Sequence, residues 1–432
     1  MLQRKIDLQL QRWFKQEKKP ALLIMGARQV GKTTSVRTFA ANYYLSFIEL
    51  NFEEKPSLKR IFEGDLDATT IYEKLSVADL GKLIPFKTLL FFDEIQSCPQ
   101  ARTAVKFLIE DGKYDVITSG SLLGINYREV SSYPVGFEYQ IEMHSLDFEE
   151  FLWANNIPHK IIDKLRICFT SRTQVDSFVH TKIMDLFRKY LIVGGMPAVV
   201  TSYIETHNIS EVIIRQKMII QSYRNDISKY AGKKKGLAKA VFDSIPMQLA
   251  EKNKKFVLAD VARGAKNRKY EDAIQWLHDA GIASYCFNIS ALQIPFELNE
   301  RRNIYKFFMR DTGLLSCMSL GNIQNAILNG DININEGAIT ENAVADLIIK
   351  NGHKLHYYDI KGRLEIDFIL NIDNSVIPVE VKSGSDYKRH SSLSKVLNNT
   401  NLNIKSAVVL SKANSQIENN ITYYPLYMAM FL

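Results

Sequence analysis

The feature that most constrains this chain is a glycine-rich loop between a strand pattern and a helix pattern. The apolar run ALLIM begins at Ala21, leads into GARQVGKT (residues 26–33), and is followed by a helical pattern. A loop with glycines at this spacing can turn its backbone N–H groups inward around phosphate oxygens, and the helix N-terminus adds positive potential. Lys32 is expected to reach the β- and γ-phosphates, and the Thr33 hydroxyl is expected to hold Mg²⁺. The loop therefore predicts a parallel α/β sheet that binds ATP with Mg²⁺.

A second strand pattern supports this site. The run TLLFF begins at Thr88 and ends in Asp93 and Glu94, as expected for a strand buried on both faces of a parallel sheet. Asp93 is predicted to hold the Mg²⁺ shell, and Glu94 to orient the attacking water. A strand-ending Asp-Glu pair can also simply cap the next helix. The predicted nucleotide-binding residues are Gly26, Ala27, Arg28, Gln29, Val30, Gly31, Lys32, Thr33, Thr34 and Asp93.

A third strand pattern, YDVITSGS, follows one helix later and ends in small polar residues. In a parallel sheet its carboxyl end would bring Ser119 and Ser121 close to the γ-phosphate. We therefore predict a catalytic role for Ser119, with two serines that merely begin a loop as the alternative.

Composition limits the class of protein. The 432 residues are 46% hydrophobic and 24% charged, which is typical of a globular chain of several domains. Lys and Arg outnumber Asp and Glu by 55 to 47, a balance that fits a polyanionic partner without requiring one. The scattered cysteines form no CxxC pair, and we expect neither a signal peptide nor a membrane span, so a cytoplasmic protein is predicted.

The middle of the chain has helical periodicity from Phe137 to about Tyr230, which predicts a helical lid. The motif GGMP, residues 194–197, interrupts it as a hinge or a turn between helices, and we favour the turn. Three shorter helical patterns follow residue 232, and then two strand patterns, IASYCFNI and LQIPFELN. This order predicts a winged helix.

The winged-helix segment is strongly basic between residues 252 and 269, where Asp260 is the one acid. Such a density of positive charge suits contacts with DNA phosphates, although the segment could instead pack against the ATPase or a partner protein. The basic residues are Lys252, Lys254, Lys255, Arg263, Lys266, Arg268 and Lys269.

The last part of the chain carries a group of carboxylates. Glu380 and Lys382 lie two residues apart in a strand pattern and so share one face, and a turn at NIDNS would fold the strand of Asp367 against them. Asp367 and Glu380 could bind Mg²⁺, with Glu341 from the preceding helix as a further ligand and Lys382 positioning water. A charged, solvent-facing hairpin is the alternative.

Together these blocks resemble a family of AAA-type P-loop ATPases that carry a C-terminal DUF4143 domain. The resemblance rests on GARQVGKTT, NFEE, LLFFDEIQ, ITSGSLLG, SYPVGF, LDFEEFL, YLIVGGMP, YRNDISKY, EIDFIL and PVEVKSG. It implies a restriction-endonuclease-like, PD-(D/E)xK terminal domain in which Asp367, Glu380 and Lys382 would be catalytic, although no proline precedes Asp367. Arg128 and Arg224 are candidates, by position only, for an arginine supplied to a neighbouring subunit, and a surface or structural arginine is the favoured interpretation of each.

The predicted fold is therefore a multidomain α/β protein. The predicted domains are a P-loop core (1–136), a helical lid (137–231), a winged helix (232–300), a linker (301–335) and a nuclease-like α/β domain (336–432). We expect an ATPase whose nucleotide cycle controls the last domain, with DNA as partner and a homo-oligomer or a protein partner as further options. The rival interpretations are a nucleotide-switched protein-interaction module without cleavage and a structural DNA-binding protein that hydrolyses ATP very slowly.

Overall fold

The computed structural model describes residues 2–121, 136–230, 235–261, 267–320, 336–360 and 363–432. Residues 3–145 form most of one compact unit, and residues 146–278 and 282–432 form the other. No helix in these ranges is both long enough and apolar enough to cross a membrane.

The first unit is built on five parallel strands in the order β2-β3-β4-β1-β5. These strands are β1 Ala21–Met25, β2 Ser46–Asn51, β3 Thr88–Asp93, β4 Asp115–Gly120 and β5 Glu138–Glu142. All six residues of β3 are buried, with Leu90 and Phe92 in one core and Leu89 and Phe91 in the other. The strand is buried on both faces, as its uninterrupted apolar sequence predicts.

Helices cover both faces of this sheet. They are α1 Lys5–Phe14, α2 Lys32–Tyr43, α3 Ala68–Val77 and α4 Pro99–Asp111, with short 3-10 turns at Pro56–Phe62 and Ile95–Ser97. The apolar residues Val36 and Phe39 of α2 pack in one core, whereas Ala104 and Leu108 of α4 pack in the other. The sheet therefore has the layered structure expected of the predicted P-loop domain.

The predicted start of the helical segment is wrong at its first residues. Residues 138–142 form β5, which pairs in parallel with β1 at the edge of the first sheet. Ile141 is the buried residue of this strand, while its neighbours are partly or fully exposed. A strand with so few apolar residues is hard to recognise without its partner.

Helices make up the next part of the chain. They are α5 Phe148–Ala154, α6 His159–Ser171, α7 Ser177–Val193, α8 Pro197–Thr206, α9 Ile209–Tyr230, α10 Lys235–Ala250, α11 Leu258–Val261, α12 Asn267–Asp279 and α13 Thr312–Leu320. The GGMP motif connects α7 to α8. Gly195 N donates to Asp311 Oδ2 over 2.8 Å, and Gly195 O accepts from Leu146 N over 2.7 Å. Because these hydrogen bonds tie the motif to two other segments, the interpretation as a turn is favoured over a hinge.

The second strand of the predicted wing lies later in the sequence than expected. β6 Ala283–Ile289 pairs antiparallel with β7 Glu300–Met309, whereas LQIPFELN forms a connection that ends in a 3-10 turn at Phe296–Asn299. Pro295 cannot donate a ladder hydrogen bond, so this segment is poorly suited to a paired strand. β7 and α13 also replace most of the predicted linker, of which residues 321–335 lie outside the described ranges.

The last part of the chain begins with α14 Glu336–Lys350 and includes α15 Ser391–Leu397. Its strands are β8 His356–Asp359, β9 Glu365–Ile366, β10 Phe368–Ile372, β11 Ser375–Val381, β12 Ala407–Ser411, β13 Gln416–Glu418 and β14 Ile421–Pro425. Strands β8 and β9 extend the β6-β7 pair into a four-stranded sheet, and the others form a five-stranded sheet in the order β10-β11-β12-β14-β13. Asp367, between β9 and β10, therefore lies where the chain passes from one sheet to the next.

Candidate functional site

The glycine-rich loop connects β1 to α2 with the backbone that its sequence requires. Gly31 has a φ of 99° and lies immediately before the first helical residue, Lys32. This left-handed conformation favours glycine because a side chain would be strained there. A Cβ atom at Gly26 would collide with the carbonyl oxygen of Met143, which follows β5. Glycine is thus required at the two positions of the motif for different physical reasons. Gly31 permits the turn, and Gly26 permits the close approach of the Met143 carbonyl group.

Lys32 is held inside this loop. Its ammonium group donates to the carbonyl oxygens of Gly26 and Ala27, each over 3.0 Å, and its side chain is buried. Burial lowers the pKa of Lys32, an effect that Glu94 and Asp93 partly offset. The carboxylates therefore help to keep the ammonium charged, as contact with phosphate oxygens requires.

Asp93 is the centre of the hydrogen-bond network at the carboxyl ends of the strands. Its Oδ2 accepts from the Thr33 hydroxyl over 2.9 Å and from Asn51 Nδ2 over 3.0 Å. Its Oδ1 accepts from the buried Ser119 hydroxyl. Helix α2 and strands β2, β3 and β4 thus each place a side chain at the predicted nucleotide-binding edge, and the hydroxyl of Ser119 holds the carboxylate of Asp93 in position.

Glu94 follows Asp93 in a left-handed conformation, with a φ of 53°. The side-chain amide of Gln96 donates to Glu94 Oε2 over 2.5 Å. Burial raises the pKa of Glu94, and the Gln96 hydrogen bond and the charge on Lys32 work against that rise. A carboxylate that is partly removed from water and fixed by one neighbour is suited to polarising a water molecule.

The other residues of the glycine-rich loop are either buried or in contact with neighbouring parts of the protein. Ala27 and Val30 are buried in a core of the first unit, while Arg28 forms a 3.4 Å ion pair with Glu53. Gln29 has a positive φ of 65°. Thr34 accepts a hydrogen bond from the Thr38 hydroxyl through its carbonyl oxygen.

Three residues of the network were not predicted from the sequence. Asn51 contacts Asp93, Gln96 contacts Glu94, and the buried Arg4 of the N-terminal segment donates to the carbonyl oxygens of Val30 and His144 over 2.9 and 2.7 Å. Asn51 could have been found, because it ends a strand at the same sheet edge as Asp93. Arg4 has no comparable signal, since its partners are backbone atoms far along the chain.

The two arginine candidates differ in what the structure says of them. Arg128 lies outside the described residues. Arg224 forms an ion pair with Asp243 on α10, over 2.8 Å, within the same unit.

The C-terminal carboxylates come together largely as predicted. The hairpin of β10 and β11 is present, with Phe368 opposite Val379, and this register places Asp367 beside Glu380. Asp367 Oδ2 accepts from the backbone of Val381 over 2.8 Å. With Glu341 on α14 and Glu365 on β9, these side chains form what we call the carboxylate cluster: Glu341, Glu365, Asp367 and Glu380.

Three lysines, which we call the lysine triad, pair with this cluster: Lys254, Lys306 and Lys382. Lys306 Nζ lies 3.1 Å from Glu341 Oε1 and 2.9 Å from Glu365 Oε1, and Lys254 Nζ lies 2.7 Å from Glu341 Oε2. Lys382 Nζ lies 2.9 Å from Glu380 Oε2. Lys382 was predicted from the sequence to lie at this site, whereas Lys254 and Lys306 were not.

The charges in this region influence one another strongly. Burial raises the pKa of Asp367 to about 8, and the nearby charges of Glu341 and Glu380 add to that rise. Burial of Lys306 is outweighed by Glu341, Asp367 and Glu365, which raise its pKa well above the ordinary value. Burial likewise opposes the charge on Lys382, but Glu380, Asp367 and Glu341 raise its pKa. The raised pKa values keep Lys306 and Lys382 charged at neutral pH, whereas the raised pKa of Asp367 favours its protonated form.

The basic segment is only partly available to an external partner. Lys254 belongs to the lysine triad, and Lys255 forms a 2.6 Å ion pair with Asp359 on β8. Lys252 is exposed, whereas Arg263 and Lys266 lie outside the described residues. Two of the lysines predicted to contact phosphates are therefore used inside the protein.

The five-stranded parallel sheet, its glycine-rich loop and the carboxylate at the end of β3 define a P-loop nucleotide-binding domain. Comparison with family models agrees: residues 18–152 match the AAA domain, and residues 336–429 match a domain of unknown function, DUF4143. Residues 184–325 match a further domain of unknown function, DUF8612. The chain thus carries an AAA domain near its N-terminus and a DUF4143 domain near its C-terminus.

Relatives of established function and solved structure add little to this. No curated protein matches the sequence. The Aeropyrum pernix ORC1 protein, solved in complex with DNA, aligns at 13% identity and a TM-score of 0.28, covering 81% of this chain and 94% of its own. Drosophila ORC bound to DNA aligns at 12% identity and a TM-score of 0.30, covering 76% and 95%, and C. elegans PCH-2 at 13% and 0.22, covering 38% and 43%. Similarities this weak carry no argument about what the present chain binds.

Proposed function

We propose that this protein hydrolyses ATP with Mg²⁺ and that its nucleotide cycle controls the C-terminal domain. The observation that supports the ATPase most directly is the convergence of Thr33, Asn51 and Ser119 on Asp93, next to Lys32. Thr33 and Asp93 are the residues that would hold Mg²⁺, which neutralises phosphate charge when bound. In this proposal Lys32 and the N–H groups of residues 26–34 bind the phosphates.

Glu94 has the catalytic role. Its carboxylate accepts a hydrogen bond from the attacking water and orients it toward the γ-phosphate, as the water-positioning groups of P-loop enzymes do. Gln96 holds the carboxylate in place, and Ser119 positions Asp93. The raised pKa of Glu94 increases its basicity, because a carboxylate that is less stabilised as an anion attracts a proton more strongly.

DNA is the proposed partner of the part of the chain beyond the ATPase domain. The order of helices and strands from α10 to β7 supports a winged helix, and the order from α14 to β12 supports a restriction-endonuclease-like fold with Asp367, Glu380 and Lys382 at its hairpin. The exposed Lys252 and the overall positive charge of the chain are compatible with contacts to phosphates.

A second candidate is a nucleotide-switched protein-interaction module with a degenerate nuclease fold and no DNA cleavage. The observation that favours it is the use of Lys254 and Lys255 in ion pairs with Glu341 and Asp359. Lysines that neutralise internal carboxylates are not available to DNA.

The proposal is tested by steady-state ATP turnover of the full chain with and without duplex DNA. We expect Mg²⁺-dependent turnover that DNA stimulates, with Lys32→Ala failing to bind nucleotide and Glu94→Gln serving as the blank. Turnover that DNA leaves unchanged would favour the protein-interaction module. Absence of turnover under every condition would contradict the ATPase itself.

A further inference from the structure

We infer that the chain's own lysines occupy the place that a divalent cation would take in the carboxylate cluster. The cluster is therefore a metal-independent connection between two segments of the protein and no centre for metal-dependent cleavage. This inference concerns the C-terminal region alone and does not depend on ATP hydrolysis.

Glu341 carries the argument furthest. A divalent cation binds through the lone pairs of carboxylate oxygens. Both oxygens of Glu341 are already paired with an ammonium group, one with Lys306 over 3.1 Å and the other with Lys254 over 2.7 Å. The side chain is almost wholly buried, so water and ions cannot easily exchange with these partners.

Lys306 has the position of a bound cation. Its side chain is completely buried, and its ammonium group bridges Glu341 to Glu365. A metal ion at this point would have to displace a buried charged group from between two carboxylates. Two cations in contact would also repel each other strongly in a region of low dielectric.

The wider set of side chains does not fit a metal ion either. Among the described residues, no group of three or more His, Cys, Asp or Glu side chains is arranged to hold one. Glu380, the remaining predicted ligand on β11, is paired with Lys382 over 2.9 Å. Of the three predicted ligands, Glu341 and Glu380 are thus directed toward lysines, while Asp367 Oδ2 accepts from the backbone of Val381.

The origin of the lysines gives the cluster a second role. Lys254 and Lys306 lie in the segment matched by DUF8612, whereas all four carboxylates lie in the segment matched by DUF4143. Lys255 adds a further ion pair with Asp359 between the same segments. Two of the three lysines that neutralise the carboxylate cluster, Lys254 and Lys306, therefore come from the neighbouring segment of the chain, and their ion pairs connect the two segments.

The test uses Mn²⁺ alone as the probe, on the full chain without nucleotide. All samples carry Asp93→Asn, so that the ATP site lacks the carboxylate that would hold a metal ion. Binding is measured from the electron paramagnetic resonance signal of free Mn²⁺. We expect no detectable Mn²⁺ binding by this background protein. When Lys306→Met removes the buried ammonium group, Mn²⁺ should bind with an affinity at least tenfold above the detection limit and should protect the protein against thermal unfolding.

The matched control is Lys412→Met, which removes a lysine paired with Glu336 at the start of the same helix but outside the cluster. It should not increase Mn²⁺ binding. If Lys306→Met does not fold, Lys254→Met, at a partly exposed lysine, replaces it with the same expectation. Stoichiometric Mn²⁺ binding by the background protein that Asp367→Asn abolishes would overturn the inference, as would folded lysine variants that gain no affinity.

Discussion

At the scale of single residues, Asp93 and Glu94 divide the tasks of the ATP site. Asp93 accepts hydrogen bonds from three side chains, which fix the carboxylate that we propose as the metal ligand. Glu94 is held by Gln96 and by the left-handed turn that follows β3. Adjacent carboxylates with different partners can take different roles, because each environment favours a different protonation and geometry.

This division predicts the effect of Glu94→Gln. The variant should still bind ATP, since Lys32 keeps its hydrogen bonds to the carbonyl oxygens of Gly26 and Ala27. Its turnover should fall by about 10²–10⁴-fold, the usual contribution of a general base. The measurement is phosphate release at saturating ATP, together with ATP affinity by fluorescence titration.

Glu54→Gln is the matched control, because Glu54 is an exposed carboxylate just beyond β2. It should keep the turnover of the unmodified protein. Equal turnover in both variants would remove Glu94 from the catalytic role.

At the scale of elements, α14 connects two buried charge networks. Its first half supplies Glu341 to the carboxylate cluster, and its second half carries Asp346, whose ion pair with Lys350 spans 2.7 Å. Lys350 also donates to the carbonyl oxygen of Leu146 and to the Tyr190 hydroxyl. A helix with charged groups at both ends of a buried face depends on its partners for stability.

The network at Asp346 predicts a dependence of stability on pH. Burial raises the pKa of Asp346 to about 6, with Lys350 and Arg310 opposing and Asp311 adding to the rise. A raised pKa in the folded protein means that the folded state binds the proton more tightly than the unfolded state. The resulting stabilisation is present at pH 4 and is lost as the pH rises through 6.

Between pH 4 and 6.5 the loss is about 2 kcal/mol, because a difference of roughly two pKa units is worth about 3 kcal/mol in all and part of it is lost below pH 4. Asp346→Asn lacks this ionisation, so the stability of the unmodified protein relative to the variant should fall by that amount between pH 4 and 6.5. Denaturant unfolding at several pH values measures the difference. Asp185→Asn, at an exposed position on α7, should keep the pH dependence of stability of the unmodified protein. If both variants have the same pH dependence of stability, Asp346 is excluded as the source of the effect.

At the scale of the whole molecule, the lysines of the basic segment lie in two different environments. Lys252 is exposed, while Lys254 and Lys255 face carboxylates of the C-terminal domain. A stretch that looks uniform in sequence is therefore divided between solvent and the interior.

This division predicts different outcomes for two neighbouring substitutions. Lys252→Ala should weaken binding to duplex DNA. It should also reduce the slope of log affinity against log salt concentration by about one, because one phosphate contact is lost. Lys255→Ala should leave DNA binding unchanged and lower the unfolding temperature, because the buried Asp359 loses its ion pair with Lys255. Fluorescence anisotropy at several salt concentrations and thermal unfolding measure the two effects; loss of DNA affinity in Lys255→Ala alone would contradict the assignment.

The sequence by itself determined the ATP-binding domain, because the signals there are local. The loop, α2 and the buried strands β1, β3 and β4 follow from spacing, apolar runs and terminal carboxylates, and the carboxyl ends of parallel strands must meet at one edge. The β10-β11 hairpin was predicted for the same reason, since its turn and both strands are contiguous in the chain.

Only the tertiary structure decided the partners of the charged residues. Whether Lys254 and Lys306 face solvent, DNA or a carboxylate depends on where α14 and β9 lie in the fold. These two elements are distant from both lysines along the chain, and no motif in the sequence indicates that they pair with them. β5 and β7 are of the same kind: each is stabilised as a strand by pairing with β1 or β6, and their own residues give little indication of it. Long-range pairing fixed the charge cluster, whereas local geometry fixed the nucleotide site.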